Sequence, residues 1–168
     1  VAVVQPIEQI LHVTTNLTCL ECHRLDEAIN CQQSNCYMAS TVMAASAVEA
    51  RLHYLAEKNI GIGLYKKYFG ESTLGSLIHL FNPRTKLDPK RYSRDDYKNL
   101  GKLTENLKKI VPVQHQPLLD LVNEYRIFTA HPKIASIDYK IAESILNLSF
   151  SFLLDPTAKI TDKKLLKH

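Results

Sequence analysis

The chain has 168 residues, of which 45% are hydrophobic and 23% are charged. This length and balance are typical of one folded domain with its own hydrophobic core, and they exclude a disordered or collagen-like chain. The net charge of +4 permits contact with polyanions but does not by itself indicate it.

Membrane insertion and secretion are not indicated by the sequence. No apolar run is long enough to span a bilayer, and the best candidate, residues 141–154, is interrupted by Glu143 and Asn147. Residues 1–13 lack the basic segment followed by an apolar segment that marks a secretory signal. The sequence therefore predicts a cytoplasmic protein with no membrane contact.

Helical periodicity dominates the first half of the chain. A short amphipathic run is followed by a segment rich in Ala, Met, Leu and Glu, which predicts a long helix from about Cys36 to Asn59, closed by Gly61. Ser72 is a candidate N-cap for a helix that continues to Phe81. No stretch of the chain shows the two-residue alternation of a half-buried strand.

Three further helix signals follow. Ser93 with Asp96 resembles a capping box, and Pro117 suits the first turn of the next helix. That helix must end near His131, because Pro132 disfavours helical geometry at the residue before it. A last helix is predicted from about residue 136 to residue 154. The predicted inner faces of the helices after Ser93 and Pro117 contain Tyr97, Leu100, Leu103, Leu107 and Ile110, and Leu118, Leu121, Val122, Tyr125 and Phe128.

These patterns predict an all-α domain with two long helices, several shorter ones and one charged loop. An antiparallel up-and-down helical bundle is the default packing for such elements. We expect residues 1–23 to form an N-terminal segment with a short helix, residues 24–155 to form the helical domain, and residues 156–168 to form a basic C-terminal tail.

The cysteines offer two weak alternatives for a bound cofactor. Cys19, Cys22 and His23 match the short motif for covalent attachment of a c-type haem. The same three residues with Cys31 and Cys36 supply enough ligands for one tetrahedral zinc site, although the second pair has unusual spacing. We favour neither metal nor haem, since small thiols in a reducing compartment need no such role.

A basic segment lies between the helix predicted to end at Phe81 and the helix predicted to begin at Ser93. Asp88 dilutes its positive charge, and the tail at residues 159–168 is basic as well. A solvated loop is the simpler interpretation, and contact with RNA phosphates is the functional one. The candidates for phosphate contact are Arg84, Lys86, Lys90, Arg91 and Arg94.

Arg126 and His131 are the candidate catalytic residues. Five positions on a regular helix correspond to roughly 140° of rotation, which would point the two side chains apart. Because Pro132 ends the helix at His131, that objection does not hold for the imidazole. A guanidinium fits a phosphate, and a histidine moves protons near neutral pH, so the pair suits metal-independent cleavage of RNA.

Other polar residues are candidates for a supporting role. Glu49 and Arg51, on the long helix, could lie behind the pair, although an ion pair of Glu49 with His53 is the simpler expectation. Exposure of Glu49 to solvent is the other simple expectation for that residue. Tyr125 could stack on a base, but its place in the apolar stripe favours core packing. The sequence identifies no partner for His115.

Residues 25–154 resemble the HEPN superfamily ("higher eukaryotes and prokaryotes nucleotide-binding"). The resemblance is carried by "LDEAINCQQSNCYMASTVMAASAVEARLHYLAEKN", by "TLGSLIHLF", and by "YRIFTAHPK" before one last amphipathic helix. The family's signature is an Arg, four to six residues, and then a His, close to the junction before the final helix. Arg126 and His131 match this signature with four residues between them.

The resemblance implies a helical bundle that often dimerises, with the Arg–His pairs of two protomers facing each other. Active members are endoribonucleases that need no metal. Many act as toxins of toxin–antitoxin or phage-defence systems, sometimes beside a nucleotidyltransferase-like partner. Other members are inactive and bind RNA, nucleotides or proteins.

One position departs from the pattern of the active members. They commonly carry a polar residue, often Asn or Asp, directly after the Arg, whereas this chain has Ile127. The sequence thus leaves two interpretations open, a ribonuclease and a catalytically inactive binding module.

Overall fold

The computed structural model describes residues 17–131 and 136–155. Within these ranges the secondary structure is helical and contains no strand, so the all-α prediction is confirmed. The predicted C-terminal tail and most of the predicted N-terminal segment lie outside the described residues. The helices are α1 (Cys19–Gln33), α2 (Tyr37–Ile60), α3 (Ile62–Tyr68), α4 (Leu74–Phe81), α5 (Arg94–Leu107), α6 (Gln116–Ala130) and α7 (Tyr139–Leu153).

Helix α2 is the centre of the fold. It has 24 residues and contacts each of the other six described α-helices. Ala44, Ala45 and Ala47 are fully buried, which lets neighbouring helices approach its backbone closely. The sequence predicts two long helices, but the described residues contain only one, because the last helix, α7, has only 15 residues.

Two backbone positions bound α2. Asn35 lies in the turn after α1 with φ of 60°, a left-handed conformation that Asn tolerates better than most residues. Gly61 ends α2 with φ of 90°, where a side chain would be strained. Cys36 is the N-cap of α2 and makes no capping hydrogen bond with its side chain.

Helix α1 begins with a complete capping box. The Glu21 backbone N–H donates to the Thr18 hydroxyl at 3.2 Å, and the Thr18 N–H donates to the Glu21 carboxylate at 2.9 Å. Such a cap satisfies two N–H groups that the first turn leaves without partners. Since α1 starts at Cys19, residues 19–23 belong to the same helix as residues 24–33.

Predicted helix starts are mostly confirmed. Ser93 caps α5 by accepting from the Asp96 N–H at 3.2 Å, and Pro117 lies in the first turn of α6. Ser72 is not the N-cap of α4; Thr73 takes that position, with extended backbone geometry directly before Leu74.

Two of the predicted inner faces are partly wrong. Tyr97 and Leu121 have 37% and 38% of their surface exposed, whereas Leu119 is fully buried beside Val122. The apolar stripe of α6 is therefore centred between Leu119 and Val122, and Leu121 lies at its edge. Ile110 is half-buried but follows the end of α5 at Leu107.

None of the helices in the described part of the chain is long and apolar enough to cross a bilayer.

Candidate functional site

The carboxyl end of α6 carries the predicted catalytic pair. The helix ends at Ala130, and His131 is its C-cap with φ of −105° and ψ of 112°, an extended conformation. Its N–H donates to the Phe128 carbonyl at 3.2 Å. The imidazole thus starts from a non-helical backbone, as predicted from Pro132, and His131 is exposed.

Arg126 lies in the last turns of α6 and is half-buried. Its Nε is buried and has no hydrogen-bond partner among the residues that the structure describes. Its backbone carbonyl accepts a hydrogen bond of 2.6 Å from the Thr129 hydroxyl. A buried donor without a partner costs roughly 1–3 kcal/mol, so this guanidinium is held in place at a cost in stability. No hydrogen bond joins the Arg126 and His131 side chains within the described residues.

Tyr125 packs as the apolar stripe suggested. It is half-buried, and its ring meets Phe128 edge-on with centroids 5.5 Å apart. It also lines a cavity of about 280 Å³ between α6 and α7, together with Leu121, Asp138 and Ile141. The cavity therefore reaches Tyr125, and neither Arg126 nor His131 lines it.

Glu49 and Arg51, the two residues of α2 that the sequence suggests as support for the pair, have different surroundings. Glu49 is half-buried and forms no ion pair with His53, so that expectation is wrong. Instead His53 Nδ1 pairs with the Tyr65 hydroxyl at 2.6 Å, and the two rings pack edge-on. Arg51 is fully buried.

Arg51 is held by a partner that the sequence did not reveal. Its Nε and one terminal nitrogen donate to the two Glu21 carboxylate oxygens at 2.8 and 2.7 Å, and its other terminal nitrogen donates to the Leu153 carbonyl at 3.2 Å. This arrangement ties α1, α2 and α7 together at one buried point. Arg51 therefore has a structural role at this point of the fold.

A second concealed pair joins distant parts of the chain. His115 Nε2 lies 2.6 Å from the Asp155 carboxylate, and both side chains are nearly buried, with 8% and 14% of their surface exposed. The His115 ring also packs edge-on against Phe152. These contacts fix the start of α6 to the end of α7.

All five basic residues proposed for phosphate contact are exposed, as expected of a charged loop. They lie between α4 and the first turn of α5, around a 3₁₀ turn at Pro89–Arg91 that the Asp88 carboxylate caps. Lys86 and Arg91 line a large cavity, whereas Arg84, Lys90 and Arg94 do not. The structure therefore separates the basic residues into two groups.

That cavity has a volume of about 530 Å³ and is formed by α3, α4, the basic loop and α5. Its lining combines aromatic and cationic side chains, including Tyr68, Tyr92, Lys67 and Lys108. Sequence reasoning missed these four residues. The one available signal was the tyrosine and lysine content of "LYKKYF", which periodicity alone does not interpret.

A hydrogen-bond network stands beside the cavity. Lys67 Nζ and the Tyr68 hydroxyl both donate to the same Asp96 oxygen, at 2.7 and 2.6 Å. The hydrogen bond from Lys67 has the largest effect on Asp96, and together these bonds lower the pKa of Asp96 to about 2. The hydrogen bond between Lys67 and Asp96 in turn raises the pKa of Lys67. The Asp96 carboxylate consequently stays charged in all but strongly acidic solution.

The four cysteines form no disulfide bond among the described residues. Burial, followed by the nearby Glu21 and Asp26 carboxylates, raises the pKa of Cys22 to about 11, which favours the thiol over the thiolate that metals bind. Among the described residues no group of three or more His, Cys, Asp or Glu side chains is placed to hold a metal ion. The residues of the weak zinc and haem alternatives, Cys19, Cys22, His23, Cys31 and Cys36, are all within that described part.

No protein-family model, curated protein or solved structure matches this chain. The resemblance to the HEPN superfamily therefore rests on the helices and the Arg–His motif alone.

Proposed function

We propose that this protein is a HEPN-like RNA-binding protein in which Arg126 and His131 cleave RNA without a metal ion. One observation carries the proposal: the buried Nε of Arg126 has no protein partner among the described residues, and the exposed His131 follows at the C-cap of the same helix. Buried polar groups are nearly always paired, so a buried donor without a partner calls for an explanation, and a ligand of the guanidinium is one. A phosphate is the ligand that a guanidinium matches best.

The chemistry requires one attack and two proton transfers. The ribose 2′-oxygen forms a bond to phosphorus, the bond from phosphorus to the 5′-oxygen breaks, and a 2′,3′-cyclic phosphate and a 5′-hydroxyl result. His131 takes the proton of the 2′-hydroxyl or gives one to the leaving 5′-oxygen. Arg126 stabilises the negative charge that grows on the phosphate oxygens in the transition state.

A homodimer would supply the second proton carrier. One chain offers one histidine at this site, so the other transfer falls to water or to a second copy of the pair. Ile127 and Leu121 on α6 support such a contact, since both are apolar and exposed. Sedimentation at several concentrations tests this part: a protein that stays monomeric while it cleaves RNA would remove the dimer from the proposal.

Cleavage of a labelled RNA in the presence of EDTA tests the activity. We expect cleavage to persist on chelation and to fall by about a hundredfold or more in His131→Ala and in Arg126→Ala. His23→Ala and Arg24→Ala are matched controls on α1 and should retain full activity. Cleavage that EDTA abolishes, or that both active-site variants retain, would overturn the proposal.

A second candidate function is favoured by Ile127. This residue is 41% exposed at the position where active HEPN members carry a polar side chain, so it offers an apolar contact instead of a hydrogen bond. In this alternative the protein binds RNA, a nucleotide or a protein partner and does not cleave RNA. Retention of labelled RNA with no product over long incubation, in wild type and in Ile127→Asn, would favour it.

The remaining parts of the proposal follow from the family resemblance. A cytoplasmic location and an antitoxin or nucleotidyltransferase-like partner suit a ribonuclease of the toxin or defence type. Growth arrest on expression in bacteria, relieved by His131→Ala, is the expected cellular outcome, and normal growth with active enzyme present would contradict a toxin role.

A further inference from the structure

The cavity between α3, α4, the basic loop and α5 is separate from the Arg126–His131 pair, because neither of those residues lines it. Its volume of about 530 Å³ lies within the range of small-molecule sites, which is roughly 300–1,000 Å³. It combines two features that ordinary surface clefts rarely have together, an aromatic floor and a cationic rim.

The floor consists of aromatic rings packed on each other. The Tyr68 and Tyr92 ring centroids are 5.0 Å apart, and Phe69 lies 6.3 Å from Tyr92. Phe69 is buried and Tyr92 is half-buried, so these rings are held rigidly by the fold. Burial raises the pKa of Tyr92, which keeps its hydroxyl neutral and able to donate a hydrogen bond. Such a floor suits the flat, apolar part of a ligand.

Four cations line the rim, namely Lys67, Lys86, Arg91 and Lys108. Three of them already contact carboxylates: Lys67 with Asp96, Arg91 with Asp88 at 3.9 Å, and Lys108 with Glu105 at 2.8 Å. Exposed ion pairs of this kind contribute little stability, so an arriving anion can share or replace the partner.

Lys86 differs from the other three cations. It is exposed and pairs with no carboxylate among the described residues. The polar side chains of Ser72, His79 and Thr85 also line the cavity and make no hydrogen bond to the described protein. An unpaired cation that shares the cavity lining with unused polar side chains marks the place where the anionic part of a ligand would be held.

We infer that this cavity binds an organic phosphate with a flat, aromatic group, such as a nucleoside monophosphate. The phosphate lies at Lys86 with Arg91 and the neighbouring hydroxyl groups, and the ring lies on Tyr92. A free nucleotide and the 5′-phosphorylated end of an RNA strand share this chemistry. The inference is independent of the proposed cleavage site, because the two groups of residues have no member in common.

Calorimetric titration with AMP tests the inference, with adenosine and inorganic phosphate as partial probes. We expect AMP to bind more tightly than either part alone, since only AMP reaches both the floor and the rim. Lys86→Gln should weaken AMP binding by about tenfold or more. Lys90→Gln is the matched control, because Lys90 is an exposed lysine of the same loop that does not line the cavity, and it should change the affinity by less than twofold.

A second variant tests the aromatic floor. Tyr92→Leu should weaken AMP binding by about fivefold or more, as the loss of a stacking ring does in other base-binding sites. Should this variant fail to fold, Lys86→Gln still decides the matter, since an exposed side chain can be changed without disturbing the core. Arg126→Ala and His131→Ala should bind AMP as the wild type does, which keeps this result separate from that of the cleavage assay.

The source of the ligand is distinguished by a 5′-phosphorylated and a 5′-hydroxyl RNA tetramer of the same sequence. Preference for the phosphorylated tetramer over AMP would assign the cavity to an RNA end, and preference for AMP would assign it to a free nucleotide. Absence of AMP and tetramer binding, equal binding of AMP and inorganic phosphate, or equal losses in Lys86→Gln and Lys90→Gln would overturn the inference.

Discussion

Arg51 and Arg126 both lie on helices, and their surroundings are opposite. Arg51 is fully buried, and a carboxylate and a backbone carbonyl accept its hydrogen bonds. Arg126 is half-buried, with an Nε that no described residue satisfies. The two side chains therefore differ both in burial and in the number of their protein partners. The Arg51 guanidinium is occupied by its own carboxylate, whereas no described residue accepts a hydrogen bond from the Nε of Arg126.

The first test substitutes each arginine by methionine, a good helix former of similar length. Arg51→Met leaves the Glu21 carboxylate buried without its cation, so we expect the free energy of unfolding to fall by about 3–5 kcal/mol. Arg126→Met breaks no side-chain hydrogen bond to a described residue and removes a buried donor without a partner, so that free energy should stay the same or rise by up to about 3 kcal/mol. Urea denaturation measures both values, and equal losses would break the comparison.

Removal of both charges sharpens this test. In the double variant Glu21→Leu with Arg51→Met, no buried charge is left without a partner, and we expect most of the loss to be recovered. Losses that simply add would show that the pair matters through packing and not through compensation of charge.

His115 extends the comparison to a pair that is slightly open to solvent. His115→Ala leaves the Asp155 carboxylate without this 2.6 Å contact and removes the ring from Phe152. We expect a loss of about 1–3 kcal/mol in thermal or urea unfolding, less than for Arg51 because solvent reaches the remaining carboxylate. The exposed His79→Ala serves as the control, and an equally small effect in both variants would contradict a role of this contact in stability.

The smallest effect is expected at the ion pair of Lys67 and Asp96, which is the most exposed of the three. The folded protein lowers the pKa of Asp96 from its ordinary value of 3.8 to about 2. A lowered pKa means that the carboxylate's contribution to stability is complete above pH 3.8 and is lost as the pH falls toward 2. The stability difference between wild type and Asp96→Asn should therefore be largest near pH 6 and shrink between pH 4 and pH 2.

Asp95→Asn is the matched control for that pH series. Asp95 is an exposed neighbour in the same first turn of α5 and shares none of these hydrogen bonds with Lys67 and Tyr68. A difference between wild type and Asp96→Asn that stays constant from pH 6 to pH 2 would contradict the assigned network.

Local signals in the sequence predicted much of the fold. The bounds of α2, the Ser93 cap and the Pro117 start follow from propensity and capping, which involve residues within one or two helical turns. The exposure of the basic loop follows from its charge. The errors at Ser72 and Leu121 are shifts of one or two positions, where several residues satisfy the same local rule and packing chooses among them.

The sequence by itself determined that the chain forms amphipathic helices and that the helix before Pro132 ends at His131. Only the tertiary structure decided that Arg51 pairs with Glu21, that His115 pairs with Asp155, and that Lys86 and Tyr92 share one cavity. The two kinds of contact differ in how far apart the interacting residues lie along the sequence. Helix periodicity and caps are set by neighbours a few residues apart, whereas these partners meet only after the helices have packed around α2.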